Sequence, residues 1–293
     1  MITPVPGPVA RPSRSDTREA LELRALRERQ PQLGDAIDMQ LELLEVHRRV
    51  QGRIPLPSFE LSAAVLARHQ SEACPVLRFE DIPLELTDLR LVVRQTADVM
   101  RRFGAIEGDD CSRAEMIGRA EGLVERVAAW YRAAAVRSHP PGAAPATVES
   151  AVDEPFVDQL FAVAMRPFLC RCAEVLQPAA ALDTWTHAFC PLCGGEPDLS
   201  VITPAAERHL ICGRCELRWK FEPLTCPYCH NRDRSRITSF TTPDGRYRVY
   251  GCDACTRYLK SYDARGAARP VMPAVDSIAT LTLDAAAIQR GYS

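Results

Sequence analysis

The 293-residue chain has no apolar run of the roughly 18 residues that a membrane-spanning helix needs. Net charge is nearly absent: 36 Lys+Arg against 38 Asp+Glu give −2, so no global field directs the chain to nucleic acid or anionic lipid. The opening stretch MITPVPGPVARPSRSDTRE has no apolar h-region and no twin-arginine pair, which leads us to expect a cytoplasmic protein. There is no phosphate loop, G-x-S-x-G, H-E-x-x-H or G-x-G-x-x-G, which removes the usual signatures of nucleotide, hydrolase, zincin and dinucleotide chemistry. What remains is globular in composition, 46% hydrophobic and 25% charged, and long enough for one large core or two modest ones.

Cysteine is the exception to this plainness. Twelve are present, many for a reducing compartment where disulfides are rare, and they are unevenly spread: four in residues 1–185, eight in 186–293. Charge divides at the same place, with 14 Lys+Arg against 11 Asp+Glu in 186–293 and 22 against 27 before it. Pro4, Pro6, Pro8 and Pro12 mark residues 1–15 as a disordered arm. Helical periodicity follows. Ile37, Leu41 and Leu44 fall on one face, as do Leu86, Leu89, Val93, Ala97 and Met100. Met116, Ala120, Leu123, Val127, Trp130 and Ala134 predict a single five-turn helix, with Ser112 and Glu115 as a capping box. Pro140, Pro141, Gly142 and Pro145 break the chain, and another helix is predicted from about Asp153, with Pro155 in its first turn and Pro167 bending or ending it. From about His187 short strands replace long stripes. Arg218–Phe221, Arg236–Thr241 and Arg246–Tyr250 are candidates, the last two joined by a Pro243-Asp244-Gly245 turn.

The second half also contains an internal repeat. Cys190/Cys193, Cys212/Cys215, Cys226/Cys229 and Cys252/Cys255 are four C-x-x-C pairs, enough for two tetrahedral four-sulfur sites. Two intervening residues let the chain turn tightly while both sulfurs face one ion, and turn N–H groups can donate to the sulfurs. Spacing favours Cys190, Cys193, Cys212 and Cys215 as one site and Cys226, Cys229, Cys252 and Cys255 as the other; an interleaved pairing stays open. A glycine after the second cysteine eases the turn, and only Gly194 supplies it; Glu216, His230 and Thr256 stand there in the others, so less ideal turns or other conformers are expected. Four such pairs outweigh a thioredoxin-type redox pair, which needs only one. The tetrahedron suits zinc and iron alike, and with four thiolates each site is closed to water and substrate.

Other residues read more blandly. Cys74, Cys111, Cys170 and Cys172 are expected as small buried apolar residues, since Cys170 and Cys172 point about 200° apart on a helix. His187 and His209, each three residues before a cysteine, compete with sites already complete, and His230 reads as a solvated knuckle residue. Arg232, Arg234 and Arg236 read as a solvated strand edge, with a nucleic-acid patch as the sharper alternative. Trp219, Phe221, Tyr247, Tyr250 and Tyr258 are expected to pack a thin ribbon core, or in part to bind a partner.

The stretches FCPLCGGEP (189–197), HLICGRCELRWKFEPLTCPYC (209–229), GCDACTRYLKSYD (251–263) and AVDSIATLTLDAAAIQRGY (274–292) resemble the formate dehydrogenase accessory protein family, FdhE. The resemblance covers about 105 residues and extends to the helical half only in length and class. It implies a cytoplasmic, non-enzymatic factor needed for active respiratory formate dehydrogenase. Such a factor binds the molybdenum- or tungsten-containing catalytic subunit before export and holds two iron ions in rubredoxin-like sites, with a redox role in maturation proposed. The expected architecture is α+β: a helical domain over 16–185, a first rubredoxin-like or zinc-ribbon module over 186–225, and a second over 226–293 ending in a helix. A rubredoxin-like electron carrier, a thiol redox protein and a zinc-ribbon nucleic-acid binder are the alternatives, the last opposed by the near-neutral charge. Short strands bury little, whereas a structural four-sulfur site returns about 10–16 kcal/mol of apparent binding free energy. Residues 186–293 should therefore unfold when metal is chelated, read as loss of near-ultraviolet circular dichroism.

Overall fold

The computed structural model describes residues 17–59, 61–137, 155–178 and 184–293. The expected arm over 1–15, the proline-rich break at 140–145 and Asp153 lie outside the described residues. Seven helices precede the sheet among those residues: α1 (Arg18–Arg29), α2 (Gly34–Gln51), α3 (Ala63–Glu72), α4 (Leu86–Arg102), α5 (Asp109–Arg119), α6 (Leu123–Arg137) and α7 (Pro155–Leu176). Two begin on side-chain caps, Thr17 accepting from the Ala20 N–H and Ser62 from that of Val65. On α4 the predicted stripe is buried at Leu89, Val93, Ala97 and Met100, while Leu86 at its head stays exposed. None of these helices is long and apolar enough to cross a membrane.

Two helix expectations are corrected. The stripe from Met116 is not one helix: α5 stops at Arg119, Ala120 turns extended with ψ 142°, and α6 starts at Leu123. The break lets Leu123, Val127 and Trp130 enter the core while Met116 turns to solvent. Ser112 and Glu115 form no capping box, because α5 starts earlier, behind Gly108 at φ 55°, with Asp109 and Asp110 on its positive first turn. Of the two effects expected of Pro167, bending or ending its helix, the ending does not occur: α7 runs on to Leu176. A proline inside a helix strips the carbonyl four residues earlier of its partner, here that of Val163. The His47 imidazole, arriving from α2, donates to that carbonyl and supplies what the helix lost.

The strands are β1 (Pro197–Ile202), β2 (Arg208–Cys212), β3 (Arg218–Lys220), β4 (Ile237–Thr241), β5 (Tyr247–Cys252) and β6 (Tyr258–Asp263). They form one sheet in the order β3-β2-β1-β6-β5-β4. Every neighbouring pair is antiparallel except β1 and β6, which run parallel with Leu199 opposite Lys260 and Val201 opposite Tyr262. Each ribbon is thus a three-stranded unit, and the parallel seam joins the two. The Pro243-Asp244-Gly245 turn closes the β4–β5 hairpin, with Gly245 at φ +68° and Asp244 accepting from the Arg246 N–H. The C-terminal helix is two short ones, α8 (Pro273–Ala279) and α9 (Leu281–Gln289). Asp276, fully buried on α8, accepts from Tyr247 Oη at 2.7 Å, Arg269 Nη2 at 2.5 Å and the Met272 N–H at 2.6 Å, which fastens the helix to β5.

Alternation along the strands separates two apolar clusters. Leu210 and Trp219 point into one, together with Trp130, Leu160, Phe161, Phe168 and the cysteines of the first pair of knuckles. Ile211, Val201, Val249 and Tyr262 point into the other, against Leu23 and Leu26 of α1, Ile37 of α2 and Val275 of α8. Both clusters draw residues from each side of the 185/186 junction.

His47 links this packing to pH. Burial foremost, then the nearby Arg166 guanidinium, lowers its pKa to about 3 against the Val163 hydrogen bond, and its Nε2 has no acceptor. The folded chain keeps it neutral while the unfolded chain protonates it below pH 6.5. His47 therefore costs no stability above pH 6.5 and up to about 1.4 kcal/mol per unit as pH falls from 6.5 toward 3. His47→Gln should flatten that slope in urea unfolding measured across the window.

Candidate metal centres

All four Cys-x-x-Cys pairs fold into the same knuckle. The residue after the second cysteine donates its N–H to the carbonyl of the first: Gly194 to Cys190 at 3.0 Å, Glu216 to Cys212 at 3.1 Å, His230 to Cys226 at 3.0 Å and Thr256 to Cys252 at 2.8 Å. The first cysteine's N–H in turn donates five residues ahead, to Gly195, Leu217, Asn231 and Arg257, at 2.8–3.0 Å. These bonds require a left-handed residue, and Gly194 has φ 72°. Of the two expectations at the other three, less ideal turns hold and other conformers do not: Glu216, His230 and Thr256 adopt φ 59°, 57° and 58°. The turn thus holds three non-glycine residues, one of them β-branched, in a region that costs each about 1–2 kcal/mol.

Strand pairing brings the knuckles together in twos. Cys190/Cys193 leads into β1 and Cys212/Cys215 links β2 to β3; Cys226/Cys229 follows β3 and Cys252/Cys255 links β5 to β6. Each group of four has its sulfurs within 4.8 Å of one another, and the interleaved pairing does not occur. Sulfur separations are 3.5 Å for Cys190–Cys215 and Cys193–Cys212, 3.7 Å for Cys226–Cys255 and 3.6 Å for Cys229–Cys252. A tetrahedron with 2.3 Å metal–sulfur bonds has edges of about 3.8 Å, whereas a disulfide needs about 2.05 Å. Both clusters therefore fit a four-coordinate ion.

Their surroundings differ. Cys190, Cys193, Cys212 and Cys215 are at most 2% exposed. The helical half clamps this site: the Val76 and Leu77 N–H groups donate to the Pro191 and Leu192 carbonyls at 3.0 and 2.9 Å. Trp185 and Trp219 donate through Nε1 to the Phe189 and His187 carbonyls. Arg166 reaches the Gly213 carbonyl at 2.8 Å and Glu216 at 2.9 Å, and the buried Arg214 guanidinium lies 3.8 Å from the Trp130 ring centroid. Burial pushes the Cys190 and Cys215 thiols well up. Burial opposes Cys212 too, yet hydrogen bonds from Cys190, Cys193 and Cys215 carry it well below the ordinary thiol value. A cation would offset the burial that opposes ionisation of Cys190 and Cys215. In the second cluster Cys229 is exposed and Cys255 half-buried. There the Tyr228 and Cys229 N–H groups donate to Cys226, and those of Ala254 and Cys255 to Cys252.

The remaining candidates stay out of both clusters. His187 packs between Trp185 and Phe189, His209 lies 3.6 Å from Glu207, and His230 is exposed. Of the four cysteines expected to be buried, only Cys172 is, its thiol raised by burial to about 12; Cys74, Cys111 and Cys170 are half-buried. Arg232, Arg234 and Arg236 are exposed beside the edge strand β4, and Arg232 pairs with Glu222 at 3.0 Å. Trp219, Phe221 and Tyr247 are buried in the ribbons, Tyr250 and Tyr258 partly so. The buried Arg208 and Arg214, and Lys260 held by Asp284 at 2.8 Å, carried no sequence signal beyond their charge.

Residues 189–222, which hold the first cluster and β1–β3, match the family profile described as "FdhE, central domain". Over those residues the chain is similar to the FdhE central domain. Proteins named FdhE from Escherichia coli (strain K12 / DH10B) and Escherichia fergusonii are each 32% identical to it over 110 residues. That is 36% of this chain and 35% of each relative, so the match spans about a third of the length of the curated relatives. In three dimensions the chain is similar to the crystal structure of the FdhE protein from Pseudomonas aeruginosa, with a TM-score of 0.63 over 94% of this chain and 92% of that one. At 18% identity this likeness shows the FdhE fold.

The difference in burial predicts unequal lability. Under a chelator the protein should lose one metal equivalent well before the other. Cys229→Ser should reduce metal content by elemental analysis from two ions per chain to one, whereas Cys190→Ser should destabilise the helical core as well.

Proposed function

We propose that the eight clustered cysteines hold two iron ions, with zinc as the alternative, and that the chain is a cytoplasmic accessory factor recognising the immature catalytic subunit of formate dehydrogenase. The helical domain over 16–185 and the ribbon modules over 186–225 and 226–293 are its working parts. The observation that carries this reading is the first four-cysteine cluster lying inside a segment with the FdhE central-domain signature. Four thiolates leave an ion no open coordination position, which supports a binding role over metal-assisted catalysis. An ion in such a cage supplies structural cross-linking, and iron would add one-electron chemistry. The exposure of Cys229 favours a second reading, a rubredoxin-like electron carrier working through the second cluster.

A tagged chain purified without oxygen from formate-respiring cells should enrich a formate dehydrogenase catalytic subunit by mass spectrometry. Enrichment should be lost when Cys190 and Cys226 are changed to Ser. A clean purification lacking that subunit, together with a reversible visible absorption change on dithionite reduction, would favour the carrier.

A further inference from the structure

Against the second cluster lies a cavity of about 70 Å³, lined in part by Cys226 and Cys252. Ile202, Leu224, Ile237 and Leu259 make its wall mostly apolar. Two guanidiniums line it, and no Asp or Glu does. One, Arg257, is already neutralised by Glu196, with contacts of 3.1 and 2.6 Å. The other, Arg208, is 5% exposed and has no carboxylate partner among the described residues. Its Nη1 donates to the Thr225 carbonyl at 2.8 Å, and its Nε, with no acceptor among the described residues, is buried out of reach of the cavity. Glu222, the acidic residue in the neighbouring linker, is turned away by Arg232 and Thr225. The Phe221 and Tyr250 rings flank the Arg208 guanidinium at 5.9 and 5.8 Å, and burial lowers its pKa.

A buried guanidinium that lines a cavity with no carboxylate beside it is costly unless an anion stands next to it. A planar guanidinium is matched best by a carboxylate, and apolar walls match an aliphatic tail. At about 15 Å³ for each water-sized group, the cavity admits roughly five heavy atoms. Leu224 stands at its mouth, 37% exposed and held at φ 58°.

We propose that this cavity binds a short aliphatic carboxylate, its charged end on Arg208 and its tail between Leu224, Ile237 and Leu259. The assignment goes beyond the accessory role and holds whether or not that role does. Calorimetric titration of the full chain, loaded with two metal ions, with propionate and with its neutral isostere propionamide tests it. Propionate should bind saturably in the millimolar range and at least about tenfold more tightly than propionamide, the worth of one charge-assisted contact. N-acetylalanine separates two sources of the same chemistry: binding tighter than propionate points to a peptide C-terminus, weaker binding to a free acid. Arg208→Gln should abolish the preference for the charged ligand while metal content stays at two. Should that variant fold poorly, Leu224→Glu leaves Arg208 in place and should weaken propionate alone by setting a like charge at the mouth. No saturable binding, or equal binding of propionate and propionamide by the well-folded protein, would overturn the proposal and leave Arg208 as a counter-charge to the neighbouring thiolates.

Discussion

Four cysteine sulfurs lie within 4.8 Å of one another in each cluster; as thiolates they would repel, and a cation would make such a cluster stable. The ribbons depend on that constraint. Their strands are three to six residues long, and neither three-stranded unit owns a core. What ties each unit together is the convergence of two knuckles, one before the hairpin and one inside it. The strained left-handed residues at Glu216, His230 and Thr256 show how strongly the geometry is imposed: the turn stays the same where its side chain is unfavourable. A fold that relied on strand pairing alone would relax those turns first.

The first cluster is also part of the helical core. Its cysteines share one apolar cluster with Trp130, Phe161 and Phe168, and backbone bonds from Val76 and Leu77 grip the knuckle from outside the sheet. Coordination there and packing of α4, α6 and α7 form a single cooperative problem. The second ribbon joins through the parallel β1–β6 seam and is buttressed by α8, where Asp276 satisfies Tyr247, Arg269 and a backbone N–H at once. The free edges of the sheet are the very short β3 and the arginine-flanked β4, both poor templates for unwanted pairing.

What could be read from the sequence was what is local. Cysteine spacing, the amphipathic stripe of α4 and the Pro-Asp-Gly turn each carry their information within a few residues. What could not be read depended on distant partners. Pro167 looks like a helix end until His47, 120 positions away in the chain and on another helix, answers the Val163 carbonyl. The stripe from Met116 to Ala134 is continuous on paper, yet the chain breaks at Ala120 because the turn swings Trp130 into the core. The parallel seam joins strands some sixty residues apart with no local mark. Nor does a Cys-x-x-Cys pair announce whether it will be buried, since burial is set by what packs around it.

That last point separates the two clusters chemically although their ligands are the same. A divalent ion with four thiolates carries net charge −2, and the cost of that charge depends on water and on nearby dipoles. The first cluster is sealed from water and flanked by Arg214 and Arg166, so its charge is balanced inside the protein and exchange of ligand or ion must await local unfolding. The second has a sulfur at the surface and its charge partly met by solvent. Two copies of one motif therefore differ in access: the first is closed to water on every side, and the second presents the Cys229 sulfur at the surface.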